Sequence, residues 1–292
     1  MNDVLIEFKG VTKSFGKNRV LDSIDLKIPE GKITGIIGAS GEGKSTLLKM
    51  MVSFYKITKG EIFYLKRNIL DDLKEIKKIF GIAIEDGSFY EDLTVKENLL
   101  HFGKLYHVPK KVLKERVKGM VYFVGLENAS DVLAKNLSLG MKKRLDLACS
   151  LMHKPSVLVL DEPTADLDPL LRRQLLHLIK KINAHGTTII LTTQLMGEVE
   201  EICDKVAILC NEKIVEEGSP DKIKKKYNSK EMDKVFEKIF SKKRKKTYQE
   251  SADKKTKIEK KDNKKENRKN PWDVLEEKIE LNKKTGKYKD DF

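Results

Sequence analysis

Apolar and polar residues alternate over residues 3–9 and again over 20–28, where Ile24, Leu26 and Ile28 fall on one side of an extended chain. That period predicts two half-buried antiparallel strands. Phe15-Gly16-Lys17-Asn18 between them reads as a hairpin turn. The apolar run Ile33-Thr-Gly-Ile-Ile37 predicts a strand, and Leu47-Leu-Lys-Met-Met-Val52 a helix. Glu61–Leu65 is a strand candidate after Gly60. The charged residues 72–78 predict a short helix ahead of a strand over Ile79–Ile84. From Leu93 to about His153 the period turns helical. Thr94 with Glu97 makes a capping box leading into Leu99, Leu100 and Phe102, and Pro109 opens a helix bearing Val112, Leu113 and Val117. Residues 126–137 read as loop, with a helix following Ser138.

Val157-Leu-Val-Leu160 is a continuous apolar run, as a buried central strand requires. Residues 169–183 form an amphipathic helix. Thr187–Leu191 is a second buried strand, Glu198–Cys203 a short helix and Val206–Leu209 another strand. Strand–helix alternation of this kind means an α/β core, and the helical interval 94–153 is expected to form a separate lobe. Met232, Val235, Phe236, Ile239 and Phe240 share one helical face, expected to dock on the chain's own domain. Beyond Ser241 the sequence is Lys-rich and apolar-poor, which predicts disorder. The exception is Pro271–Ile279, where Trp272, Leu275 and Ile279 share a stripe.

Composition sharpens the picture at that boundary. Hydrophobic residues make up 39% and charged residues 36% of 292 positions, and the net charge is +14. Residues 241–292 hold 19 Lys+Arg against 11 Asp+Glu, so the excess sits mostly in the tail. No run approaches the ~18 apolar residues of a membrane span, and the N-terminus has no signal-peptide profile. A cytoplasmic chain, free or peripheral on the membrane, is expected. Cys149, Cys203 and Cys210 lie among apolar neighbours and read as buried free thiols. The five histidines form no metal-ligand spacing.

The chemistry is concentrated in Gly38-Ala39-Ser40-Gly41-Glu42-Gly43-Lys44-Ser45-Thr46. Strand, glycine-rich turn and helix stand in the order that the phosphate-binding pattern G-x-x-x-x-G-K-[ST] requires. Gly38, Gly41 and Gly43 let backbone N–H groups turn inward around phosphate oxygens. The following helix adds its positive dipole end. Lys44 can reach the β- and γ-phosphates of ATP, and the Ser45 hydroxyl can ligate Mg²⁺. Asp161 and Glu162 end the Val157 strand, where two carboxylates suit a nucleotide site. Asp161 would hold Mg²⁺ through water, and Glu162 would orient and polarise the attacking water.

Taken together, these motifs resemble the nucleotide-binding subunits of ABC transporters over roughly residues 3–240. Leu137-Ser-Leu-Gly-Met141 resembles the family's signature motif, and Pro163-Thr-Ala-Asp-Leu-Asp168 its D-loop. Phe15 stands where an aromatic stacks on adenine. Phe89–Asn98 looks most like the ATPase subunits of drug-type exporters. The resemblance implies a P-loop NTPase core with an antiparallel β subdomain and an inserted helical subdomain at about 88–153. It also implies head-to-tail pairing, as a homo- or heterodimer. Ser138 and the backbone of Gly140 would then meet the γ-phosphate across the interface, and a separate transmembrane permease would receive the motion. Three positions depart from the family pattern: Glu85 replaces the Q-loop glutamine, Gln194 the switch histidine and Met141 the signature glutamine. Glu85 still offers oxygens to Mg²⁺, and Gln194 can donate to the γ-phosphate but cannot carry a proton.

The leading expectation is therefore the Mg²⁺-dependent ATPase engine of a membrane exporter. The runner-up is an ABC-type ATPase that regulates or assembles a non-membrane partner, and a third reading is a structural subunit paired with a more active ATPase. For the basic tail, a solvated extension comes first and anionic lipid second. Nucleic acid ranks last, because the cluster Lys242–Lys246 lacks interleaved aromatics.

Overall fold

The computed structural model describes residues 3–71, 73–84 and 87–241. Glu85, the tail beyond Ser241 and the Trp272 segment lie outside the described residues. The unit that carries the phosphate-type loop and the strands around it spans Met1–Phe236.

The alternation near the N-terminus produces β1 (Val4–Phe15) and β2 (Asn18–Pro29), antiparallel and closed by the turn at Gly16 and Lys17. β4 (Lys59–Tyr64) pairs with the other edge of β1, and the short β5 (Arg67–Asn68) completes a sheet ordered β2-β1-β4-β5. Register shifts along β1 keep Phe8 and Val11 inward although they are an odd number of residues apart. Those bulges carry the strand past the point where its alternation stops being legible.

The second sheet runs β10-β9-β3-β8-β7-β6. Its strands β3 (Ile33–Ile37), β7 (Val157–Leu160) and β8 (Thr188–Thr193) are buried at every position, the condition that produces unbroken apolar runs. β6 (Phe80–Ala83), β7, β8, β3 and β9 (Lys205–Cys210) are mutually parallel, while β10 (Lys213–Gly218) returns antiparallel to β9. β10 and the Lys-rich α8 (Pro220–Lys226) are additions to the expected elements. Both are amphipathic only weakly: of α8, Pro220 and Ile223 alone are buried.

Helices α1 (Lys44–Met51), α2 (Leu73–Lys78), α6 (Pro169–Ala184) and α7 (Met196–Ile202) accompany the strands. Between β6 and β7 lie α3 (Val95–Leu105), α4 (Lys110–Val124) and α5 (Leu139–Leu151), which pack on one another, with α5 also touching β6. The Thr94–Glu97 capping box forms as its spacing predicts, with Glu97 N donating to Thr94 Oγ1 and Thr94 N to Glu97 Oε2. All three cysteines are buried free thiols. Met232 and Val235 are fully buried, and the Met232 amide donates to Glu200 Oε1 at 2.6 Å.

Candidate nucleotide site

Parallel register decides which side chains meet. Leu160 on β7 is level with Leu191 on β8, so the next residues, Asp161 and Thr192, emerge side by side. Ile37 on β3 is level with Thr193, which places the loop beginning at Gly38 over the same sheet edge. The carboxyl ends of parallel strands are where α/β sheets bind ligands.

The loop is built by close approach. A Cβ at Gly38 would lie 2.6 Å from the backbone oxygen of Leu209, and one at Gly43 2.9 Å from Val20 Cγ1. Gly43 is also the N-cap of α1, at φ 98°, in the left-handed region glycine favours. Ser40 and Gly41 form an exposed crest, while Lys44 beneath it is only 6% exposed. Its Nζ donates to the carbonyls of Gly38 (3.0 Å) and Ala39 (3.2 Å) and lies 3.3 Å from Glu162 Oε1. A phosphate in the loop would compete with those three acceptors for the ammonium's three protons.

The acids are held from below. Asp161 Oδ1 accepts from Thr192 Oγ1 at 2.6 Å and from Ser45 Oγ at 3.1 Å. Glu162 sits at φ 47°, a strained conformation for a side chain with a Cβ, and its amide donates to Thr192 Oγ1 at 2.9 Å. Gln194 Nε2 donates to Glu162 Oε1 at 3.2 Å. Both Lys44 and Gln194 therefore use one oxygen of Glu162, and among the described residues Oε2 is left for another donor. Ser45 and Asp161 together present adjacent hard oxygens, which is the donor set Mg²⁺ prefers.

Behind this cluster lies a second, buried one. Glu198 on α7 is 3% exposed and accepts from Thr193 Oγ1 at 2.7 Å, with Arg172 Nε 3.5 Å from its other oxygen. Burial pushes its carboxyl above the usual range, against hydrogen bonds from Thr164 and Thr193 and the charge of Arg172. The segment Pro163–Asp168, the β8 end and α6 are thereby tied together. Asp168 caps α6, its Oδ1 accepting from Leu170 N and Leu171 N.

Phe15, 43% exposed, meets Tyr55 edge-on at 5.2 Å and carries Lys13 Nζ 4.5 Å above its ring. Glu42 accepts the Asn211 backbone amide at 2.5 Å. Glu212 in the same turn pairs with Arg19 at 2.7 Å, so the β9–β10 turn clasps both the phosphate-type loop and β2. Ser138 and Gly140 stand apart from this cluster, at the start of α5. The Ser138 hydroxyl accepts from Met141 N at 3.4 Å, which leaves its own proton available. Gly140 faces Leu171, where a Cβ would come within 3.1 Å.

Sequence reasoning missed Thr192, Glu198, Asn211 and Tyr55. The paired threonines closing the β8 run were the available signal for the first; the others depend on contacts between distant segments.

Comparison with known proteins places this geometry in a family. Residues 21–165 match the family described as ABC transporter. The chain is 35% identical over 220 residues to the Nod factor export ATP-binding protein I of Rhizobium sp. (strain N33), covering 75% of this chain and 72% of that protein. It is 35% identical over 222 residues to the probable multidrug ABC transporter ATP-binding protein YbhF of Escherichia coli (strain K12). That match covers 76% of this chain but only 38% of YbhF, so the chain spans well under half of that relative's length. A solved ATP-binding subunit of an ABC transporter superposes with a TM-score of 0.73 at 25% identity, over 81% of this chain and 99% of that one. The chain belongs to the family of ABC transporter ATP-binding proteins, whose members are ATPases built on the P-loop α/β fold.

Proposed function

We propose that this chain binds and hydrolyses ATP to power a membrane exporter, working as one half of a head-to-tail pair that drives a separate transmembrane permease. The observation that carries the reading is the convergence of Lys44, Ser45, Asp161, Glu162 and Thr192 at the ends of β3, β7 and β8. In this reading residues 1–240 are the ATP-binding domain, with residues 88–153 its helical subdomain. Residues 241–292 are a basic tail able to rest on anionic lipid at the cytoplasmic face of the membrane.

The triphosphate lies along residues 38–46, held by backbone N–H groups and the N-terminus of α1. Lys44 exchanges the Gly38 and Ala39 carbonyls and Glu162 for phosphate oxygens. Ser45 and Asp161 would hold Mg²⁺, with Glu85 a further candidate from sequence, and the ion would supply charge neutralisation for the triphosphate. Glu162 accepts the proton of the attacking water. The Gln194 amide holds Glu162 in place by its hydrogen bond and donates toward the γ-phosphate. Phe15, backed by Tyr55, offers a stacking face to adenine. Ser138 and Gly140 serve the nucleotide of the partner protomer, and Asp168 fixes the start of α6 beside that interface.

Export rather than another use of ATP is supported by the Phe89–Asn98 stretch and by the Nod factor export proteins among the relatives, which also include a methionine import ATP-binding protein. The basic tail, with 19 Lys+Arg in residues 241–292, keeps a second reading in view: an ABC-type ATPase acting on a non-membrane partner. Turnover of MgATP by the purified chain and by Glu162→Gln tests the first half of the proposal. The wild type is expected to hydrolyse slowly, and the variant to bind ATP without turnover. Equal turnover in the two removes Glu162 from the chemistry.

A further inference from the structure

Glu198 is a buried acid that hydrogen-bonds none of the groups assigned to the nucleotide. It lies in the first turn of α7. Burial raises the pKa of its carboxyl, so an uncharged residue of similar size would fold there at lower cost. Its neighbours show what the acid does instead. One oxygen accepts from Thr193 Oγ1 at 2.7 Å, and the same Thr193 oxygen accepts the amide of Leu195 at 3.0 Å. Gln194 is the residue between them, so the turn that carries it is closed by one hydroxyl, and Glu198 holds that hydroxyl. The other carboxylate oxygen faces Arg172 Nε at 3.5 Å, and Arg172 Nη2 donates to the carbonyl of Leu167 at 3.1 Å. Leu167 belongs to the turn that follows Glu162, where the Ala165 amide donates to the Glu162 carbonyl at 3.1 Å.

The acid therefore stands between two turns, one presenting Gln194 and the other leading out of Glu162. Those two side chains meet in a single exposed hydrogen bond, Gln194 Nε2 to Glu162 Oε1 at 3.2 Å. A bond of that length at the surface does little to fix its own geometry, which is inherited from the two backbones. Glu162 in addition sits at φ 47°, a conformation that persists only where surrounding contacts over-determine it.

We propose that Glu198 is a positioning residue for ATP hydrolysis: by gripping the Gln194 turn through Thr193 and the turn after Glu162 through Arg172, it sets the spacing between Gln194 and Glu162. The inference rests on the ATP-site reading above, in which Glu162 takes the proton of the attacking water and Gln194 holds Glu162 in place.

The test uses the full-length chain and two readouts. Hydrogen exchange at the Leu195 amide reports the tie itself, whatever the site binds. In Glu198→Ala that amide is expected to exchange roughly tenfold faster, while Glu198→Gln, which keeps an acceptor for Thr193, stays within about threefold of wild type. MgATP turnover is expected to fall roughly tenfold in Glu198→Ala through kcat, with KM within about twofold, and to recover most of that loss in Glu198→Gln. A double-mutant cycle separates positioning from general loosening: in a Gln194→Ala background, adding Glu198→Ala should lower kcat by less than about twofold more. If Glu198→Ala does not fold, Thr193→Val, which opens the same bond from its other end, takes its place in the cycle. Unchanged exchange at Leu195 overturns the tie. Wild-type kcat in Glu198→Ala, or losses that multiply in full across the cycle, overturns the positioning role. A wild-type chain without turnover overturns the site reading and the catalytic half of the proposal with it, while the exchange comparison still decides the tie.

Discussion

Thr192 Oγ1 donates a 2.6 Å hydrogen bond to Asp161 Oδ1. The same oxygen accepts the amide of Glu162 at 2.9 Å. One buried hydroxyl on β8 thus sets the direction of both acids at the end of β7, the carboxylate that would face a metal and the strained residue that would face a water. Removing it leaves a part-buried amide without its acceptor and the Asp161 carboxylate with Ser45 alone.

Thr192→Val keeps the shape and deletes the hydroxyl. A fully buried unsatisfied amide costs about 1–3 kcal/mol, and this one is part-buried, so chemical unfolding should show a loss at the lower end of that range. ATP turnover should fall by roughly tenfold or more as Glu162 loses its orientation. Thr192→Ser should recover most of both. Wild-type turnover in Thr192→Val would mean that β7 alone orients the acids.

Gly43 offers a test of the cradle that leaves every charged group in place. It sits at φ 98°, and an added methyl would meet Val20 Cγ1 at 2.9 Å and Val20 O at 3.3 Å. Gly43→Ala combines left-handed strain with a clash against β2, together about 1–3 kcal/mol. Nucleotide affinity, followed by fluorescence titration, should drop by roughly tenfold or more because the loop must shift away from β2. Unaltered affinity would show that the loop tolerates a wider curve than its packing suggests.

The raised pKa of Asp146 fixes the sign of a pH effect. An Asp titrates near 3.8 without the fold and at about 6 in it, with Lys143 lowering the value and Tyr106 and Cys149 lying within electrostatic reach. Between those values the folded chain keeps a proton that the unfolded chain has released, so this group's contribution to stability falls as pH rises through that window. The change is about 3 kcal/mol at most. Asp146→Asn does not titrate, so its advantage over wild type in urea unfolding should widen from pH 4 to pH 7.5. Parallel stability curves would show that the carboxylate is solvated after all.

These positions also show what a sequence can and cannot carry. The Val157–Leu160 strand was legible because burial on both faces leaves no polar position, and the Thr94–Glu97 box because its partners are three residues apart. The phosphate-type loop was legible for the same reason: Gly38, Gly43, Lys44 and Ser45 are neighbours in the chain. β10 and α8 were not, since an edge strand reading Lys213-Ile-Val-Glu-Glu-Gly218 and a helix with two buried residues carry little apolar periodicity. Thr192 meets Asp161 across 31 residues, Ser88 meets Asp146 across 58, and Glu42 meets Asn211 across 169. Those pairings are products of sheet register and lobe packing, which no local pattern encodes. The burial of Asp146 was hidden for a related reason: α5 touches α3, α4, α6 and β6, so it has little solvent face left on which to display a charge.

Calorimetric titration of MgATP into the wild-type chain and into Lys44→Ala, with thermal melting to confirm that both are folded, bears most directly on the nucleotide site. The account predicts saturable binding by the wild type and a loss of roughly a hundredfold or more in the variant, the worth of a buried charge-assisted contact. Heats that do not saturate, or equal affinities in the two proteins, would contradict it.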